Sequence, residues 1–147
     1  MITNNQPFFI MIYILSIIFS ACDRKSHIDQ DKHDGLMVQV IKMPAEANDG
    51  GIINFSTRLI PDKNTMADLN QNLRTGLSYR MDSCFYLLNG THKTYPNIVQ
   101  PIANGVSSDF GYLLSFDAVD LKKAKWQLTY QDKYLNHKIY HIVLNKD

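Results

Sequence analysis

Apolar and polar residues divide this chain of 147 residues into two parts. The first contains an apolar run from Phe8 to Phe19, interrupted only by Ser16, and no charged residue precedes Asp23. In the second part, apolar residues alternate with polar ones in several short segments. A period of two is the pattern of a half-buried β-strand, whereas a helix repeats every 3.6 residues. The pattern therefore predicts an apolar leader followed by a β-rich domain.

The alternating segments predict individual strands. They lie at 36–43, 53–59, 77–88, 110–116, 126–131 and 137–144, with a brief edge strand at 98–102 where prolines are tolerated. The first two should form a hairpin. About seven short strands in about 110 residues are typical of an antiparallel β-sandwich. The architecture is immunoglobulin-like only in outline, because the Cys-Trp-Cys framework of immunoglobulin domains is absent.

Residues 63–76 fit two interpretations. Met66, Leu69 and Leu73 have helical spacing, with Thr65 as a cap and Gly76 at the end, which predicts a short helix. The segment also contains poor helix material, which favours a long loop instead: Asn70, Gln71, Asn72 and Thr75.

Amino-acid composition supports the predicted β-rich fold and argues against one class of partner. The acidic residues are 13 Asp and a single Glu, and the chain has 12 Asn, which favours turns between strands over helices. The net charge of +1 gives no electrostatic reason to expect nucleic acid as a partner. Trp126, the only tryptophan, is predicted to anchor the core; on the surface it would be a candidate contact residue.

Few residues suggest catalysis or metal binding. Cys84 lies in an apolar segment and is predicted to be a buried, inert thiol. On a strand, His137 and His141 would be about 13 Å apart, too far to share one ion. No metal site is therefore expected. Lys122, Lys123 and Lys125 form a small basic cluster that would be either a solvated turn or a contact for anionic lipid head groups.

The segment Ser20-Ala21-Cys22, directly after the apolar run, resembles the end of a bacterial lipoprotein signal peptide. The resemblance implies removal of residues 1–21 and acylation of Cys22, so that covalent lipid is the only attached group and no other cofactor is expected. Residues 22–35 are charged and are predicted to be a flexible tether, and residues 36–147 a single domain.

As a whole, the chain resembles small cell-envelope lipoproteins of Bacteroidota, which combine such a signal with a polar tether and an Asn- and Ile-rich β domain. This implies attachment to membrane lipid, with the outer membrane as the expected location. In these proteins an acidic stretch after the cysteine resembles a surface-export signal. Here Arg24 and Lys25 follow Asp23, so periplasmic and surface-facing positions are both compatible with the sequence.

The sequence favours a non-enzymatic binding or assembly module that contacts another envelope protein or a glycan. It contains no nucleophile elbow, phosphate-binding glycine loop or paired-cysteine metal motif. Two alternatives are a structural subunit of a secretion or conjugative-transfer apparatus and, less favoured, an envelope hydrolase with a site around Asp82, His92 and Asp109.

Overall fold

The computed structural model describes residues 27–44, 51–103, 108–117, 119 and 125–144. The strands in these ranges form two antiparallel sheets packed face to face, which confirms the prediction of a mainly β sandwich. The strands are β1 (Ile28–His33), β2 (Leu36–Lys42), β3 (Ile52–Pro61), β4 (Phe85–Asn89), β5 (His92–Thr94), β6 (Ile98–Ile102), β7 (Phe110–Asp117), β8 (Gln127–Gln131) and β9 (Ile139–Val143). Two helices, α1 (Lys63–Ala67) and α2 (Gln71–Tyr79), lie between β3 and β4.

The strand order is β1-β2-β3-β7-β6 in the larger sheet and β5-β4-β8-β9 in the smaller one. The predicted hairpin of β2 and β3 is confirmed, and β6 is an edge strand as expected. At the opposite edge β1 lies beside β9, where the Tyr140 hydroxyl donates a hydrogen bond of 3.1 Å to the His33 carbonyl oxygen. The two sheets are therefore joined at one edge by polar contacts.

The sandwich has two ends, which the strand register defines. At the entry end β1 begins, with Ile28 opposite Ile41. Strands β3 and β6 also begin there, and β9 ends there. At the far end a turn at Asp34 and Gly35 joins β1 to β2, and the loop between β8 and β9 and both helices lie nearby.

The core lies between the sheets and is rich in aromatic side chains. The Phe85 ring stacks on that of Tyr130, with 4.9 Å between centroids, and packs against Tyr112 at 5.5 Å. Cys84 is fully buried, as predicted, and burial raises the pKa of its thiol. Trp126 belongs to the core cluster and is 8% exposed, as the prediction of a core anchor requires.

The ambiguous segment contains both short helices. The Asp62 carboxylate caps α1 by accepting a hydrogen bond of 2.8 Å from the Thr65 amide, so Asp62 and not Thr65 is the cap. Asn70 caps α2 in the same way. Gly76 does not end the helix but lies inside α2, where it contacts Tyr134.

Strand β1 corrects part of the prediction of a flexible tether over residues 22–35, namely residues 28–33. The segment was expected to be flexible because it has too few apolar residues to form a core. An edge strand, however, can be held by backbone hydrogen bonds to its neighbour, and Ile28 to His33 pair residue by residue with Ile41 to Leu36. The sandwich therefore includes Ile28–His33, ahead of the predicted start near Leu36.

The predicted long strand at 77–88 is wrong in its first half. Residues 77–79 complete α2, residues 82–84 form a turn, and only Phe85–Asn89 is a strand. On a strand, Tyr79 and Met81 would share one face, yet Tyr79 is 80% exposed whereas Met81 is buried. The helix forms because Asn70 caps it and Leu77 packs into the core.

Candidate functional site

A groove of about 280 Å³ lies at the far end of the larger sheet. It is lined by residues 77–79 at the end of α2, residues 101–103 at and just after the end of β6, and residues 109–112 at and just before the start of β7. Small-molecule sites usually measure about 300–1,000 Å³. The groove is therefore large enough for one small group or side chain of a larger partner.

The walls of the groove are an aromatic and an aliphatic side chain. Tyr79 is the last residue of α2 and is 80% exposed, the largest exposure of any large hydrophobic side chain in the described residues. Across from it, Ile102 at the end of the edge strand β6 is also exposed. An exposed tyrosine offers both a flat apolar face and a hydroxyl, a combination suited to binding amphipathic groups.

The floor of the groove is fixed by Tyr112. Its hydroxyl donates a buried hydrogen bond of 2.7 Å to the carbonyl oxygen of Leu77, which ties α2 to β7. Burial raises the pKa of Tyr112 well above its ordinary value, so the hydroxyl keeps its proton and remains a donor. This bond sets the position of the helix end that carries Tyr79.

An ion pair borders the groove. Arg58 on β3 contacts the Asp109 carboxylate through two of its nitrogens, with 2.8 Å between Nε and Oδ2. The Asp109 side chain is 2% exposed, whereas that of Arg58 is 47% exposed. Gly111 faces Arg58 on the neighbouring strand and has no side chain to obstruct it. The guanidinium therefore lies where it can interact with a polar partner group.

The loop between β8 and β9 supports the far end through one buried carboxylate. Asp132 is 4% exposed, and its two oxygens accept hydrogen bonds of 2.6–3.3 Å. The donors are the Tyr130 hydroxyl and the backbone amides of Tyr134, Leu135, Asn136 and His137. The loop places the Tyr134 ring on α2 at Gly76, so Asp132 indirectly supports the groove.

The structure does not bring together the three residues proposed for a hydrolase. Asp109 lies at the far end of the larger sheet in its pair with Arg58. His92 is exposed on β5, opposite Asn89 at the entry end of the smaller sheet. Asp82 is exposed in the turn before β4.

The two C-terminal histidines also have separate environments. His137 lies in the β8–β9 loop with a φ of 59°, whereas His141 is on β9 with its Nδ1 3.3 Å from the Thr129 hydroxyl. Within the described ranges, no group of three or more His, Cys, Asp or Glu side chains could hold a metal ion.

Some residues considered in the sequence fall outside the described part of the chain. Cys22 and the leader are among them, as are Lys122 and Lys123. Across the residues that are described, no helix has the length and apolarity needed to cross a membrane. Comparison of the chain with protein-family models, curated proteins and solved structures finds no match.

Sequence reasoning missed Tyr79 and Arg58 as site residues. Tyr79 was assigned to a strand, although Asn70 capping a helix that ends near position 79 would have placed it at a helix end. Within the predicted strand at 53–59, alternation marks Arg58 only as a polar position. Its pairing with Asp109, 51 positions away, depends on the pairing of β3 with β7, for which the sequence has no local signal.

Proposed function

We propose that this chain is a membrane-anchored envelope lipoprotein whose β-sandwich is a non-enzymatic binding or assembly module. Lipid on Cys22 would hold it at a membrane, with the outer membrane as the expected location. The distance between the anchor and the groove supports this proposal. Cys22 is followed closely by Ile28 at the entry end, whereas the groove lies at the far end. A lipid on Cys22 would therefore leave the groove directed away from the bilayer.

The groove supports binding of a group that is partly apolar and partly polar. Tyr79 and Ile102 offer exposed apolar surface, and Arg58 offers hydrogen-bond donors beside them. Another envelope protein or a glycan would satisfy both requirements. The partner is expected to insert one side chain or one sugar unit, given the volume of about 280 Å³.

A structural subunit of a secretion or conjugative-transfer apparatus is the second candidate. Strand β6 favours it, because this edge strand exposes both Ile98 and Ile102. Edge strands present unpaired backbone groups to which another strand can add. A hydrolase is less favoured, since Asp82, His92 and Asp109 lie apart.

The anchor is tested by labelling cells with a palmitate analogue. Wild-type chain and the matched Cys84→Ala variant should incorporate the label and sediment with membranes. Cys22→Ala should do neither while remaining folded, because Cys22 precedes all the strands in the described part of the chain. Equal labelling of all three chains would contradict the proposed lipid anchor.

The binding function is tested with a photo-crosslinking amino acid at position 79. Position 139 is the control, because Ile139 is also exposed but lies on the smaller sheet. We expect a discrete crosslinked product from position 79 only, sensitive to protease for a protein partner or to glycosidase for a glycan. Products of equal yield from both positions, or none from either, would count against a binding role for the groove.

A further inference from the structure

The entry end carries a ring of exposed apolar side chains, here called the entry rim. Its members are Ile28, Met43, Ile52, Ile98 and Val143, each between 40% and 55% exposed. Strand register, and the contact of His141 on β9 with Asp31 on β1, place these residues at the same end of the sandwich. Ile98 lies opposite Ser115, which lies opposite Asn54, and the Asn54 carbonyl oxygen accepts a hydrogen bond from the Met43 amide. The rim therefore includes strands of both sheets at a single end.

The rim side chains are not part of the core. Ile28 and Ile98 occupy the outer face of the larger sheet, because the alternate positions Val40, Phe55 and Leu114 point inward. Val143 occupies the outer face of the smaller sheet, two residues from the exposed His141. A cluster of exposed apolar residues on one end of a soluble domain indicates a contact surface.

The polar groups beside the rim are already paired with one another. The Ser115 hydroxyl donates a hydrogen bond of 2.7 Å to the Asn54 side-chain oxygen. The Asn97 side-chain nitrogen Nδ2 donates one of 2.7 Å to the Asp117 carboxylate. Covering this surface with an apolar phase costs less when its polar atoms keep their partners. Exposed Lys42 and Lys125 at the same end suit anionic head groups.

The short length of chain between Cys22 and β1 indicates which partner covers the entry rim. Ile28 is fixed by its pairing with Ile41, and a fully extended chain from Cys22 to Ile28 spans at most about 21 Å. We propose that the entry rim docks on the surface of the bilayer that holds the Cys22 lipid, with its apolar side chains in the interfacial layer. This inference rests on the lipid anchor of the proposed function.

Because the lipid already attaches the chain to the membrane, even a weak contact between the entry rim and the bilayer is sufficient to orient the domain. A lipid-tethered rim stays close to the bilayer, so its effective concentration at the membrane surface is far higher than that of a free domain that meets a vesicle from solution. Apolar residues at the interface and a lipid chain also add their contributions to membrane binding. The docked rim would hold the sandwich upright and keep the groove at the far end accessible.

Two matched pairs of positions test the orientation. Ile98 and Ile102 lie on β6, and Val143 and Ile139 lie on β9; within each pair the residues are exposed on one face, about 13 Å apart along the strand. Single cysteines at these positions are labelled with a nitrobenzoxadiazole fluorophore in the full lipidated chain. Cys84 is fully buried, and unmodified chain measures its background labelling. The labelled chains are placed in phosphatidylethanolamine and phosphatidylglycerol vesicles that contain a doxyl-labelled quencher lipid.

Docking of the rim predicts quenching at positions 98 and 143 at least about twice as strong as at 102 and 139, because only the first two reach the interface. Equal quenching, or none, at all four positions in vesicle-bound chain would overturn the rim while leaving the anchor intact. Blue-shifted emission at 98 and 143 without lipid quenching would assign the rim to a protein contact and also overturn it. Chain that does not float with the vesicles would contradict the lipid anchor itself.

Discussion

The Asp31 carboxylate accepts a hydrogen bond of 3.0 Å from the backbone amide of His141, which is 110 positions away in the chain. Asp31 lies on β1 at the edge of one sheet, and His141 lies on β9 at the edge of the other. The carboxylate thus satisfies a backbone donor of the neighbouring edge strand. The contact explains how a charged segment becomes part of the sandwich and shields an edge.

We expect Asp31→Ala to lower the free energy of unfolding by about 1–2 kcal/mol, because a hydrogen bond to a charged acceptor is lost. Asp34→Asn is the control, since it suits the positive φ of 39° at this position and removes only a largely exposed 3.4 Å ion pair with Lys138, which should be worth less than about 1 kcal/mol. Urea unfolding of both variants measures the difference. Equal losses would show that the contact with His141 contributes little.

Strands with one apolar face could be predicted from the sequence, but β1 could not. Alternation located β2, β3 and β7 because their inward positions, such as Val38, Phe55 and Leu114, are apolar. The side of β1 that faces β9 carries polar residues, among them Asp31. Alternation could not reveal this strand, because it is ordered by its pairing with β2 through the turn at Asp34 and Gly35 and by contacts with β9 far along the chain.

The groove was also beyond prediction from the sequence, although Asp109 was selected as a candidate. Its predicted companions Asp82 and His92 lie elsewhere, whereas Arg58 and Tyr79 come from separate elements. Their proximity depends on strand register and on the Tyr112 hydrogen bond to Leu77. These are tertiary relationships with no signature in residue spacing.

Replacement of Asp132 should be among the most destabilising polar substitutions. Asp132→Ala removes the acceptor for the Tyr130 hydroxyl and four loop amides, and we expect a loss of about 3–5 kcal/mol. Asp132→Asn keeps one side-chain oxygen and should lose less. Urea unfolding gives both values. A loss below about 1 kcal/mol for Asp132→Ala would show that water replaces the carboxylate.

Gly76→Ala should destabilise the protein, although alanine normally stabilises a helix interior by about 1 kcal/mol relative to glycine. A Cβ at Gly76 would overlap the Tyr134 ring. Displacement of the ring would strain the Tyr134 hydrogen bond to the Arg80 carbonyl oxygen, and we expect a loss of about 1–3 kcal/mol.

The Gly76 prediction is checked by a double-mutant cycle with Tyr134→Ala. Without the ring, Gly76→Ala should become neutral or stabilising, because only the helix propensity remains. Additive losses in the two variants would contradict the proposed overlap.

Thr57→Val should stabilise the protein by about 1 kcal/mol. Among the described residues, Thr57 Oγ1 is the buried side-chain polar atom without a hydrogen-bond partner. Valine has nearly the same shape and removes the desolvation cost of the hydroxyl. Thr57→Ser, which keeps the hydroxyl and removes a methyl group, should instead destabilise. Thermal unfolding distinguishes the two, and a loss of stability in Thr57→Val would indicate a hidden partner for the hydroxyl.

Stability should fall at alkaline pH because burial raises the pKa of Cys84, Tyr112 and Tyr130 above their ordinary values of 9.0 for the thiol and 10.0 for the phenols. Between the ordinary and the raised pKa, the unfolded chain releases a proton that the folded chain retains, so unfolding is favoured as the pH rises. The stabilising contribution is complete below about pH 9 and declines above it by up to about 1.4 kcal/mol per pH unit for each group. Urea unfolding from pH 7 to 11 measures this slope. Tyr112→Phe should reduce this slope, whereas Phe116→Leu, whose ring packs against Phe55, should lower stability at every pH without changing the slope. An unchanged slope in Tyr112→Phe would contradict the assignment.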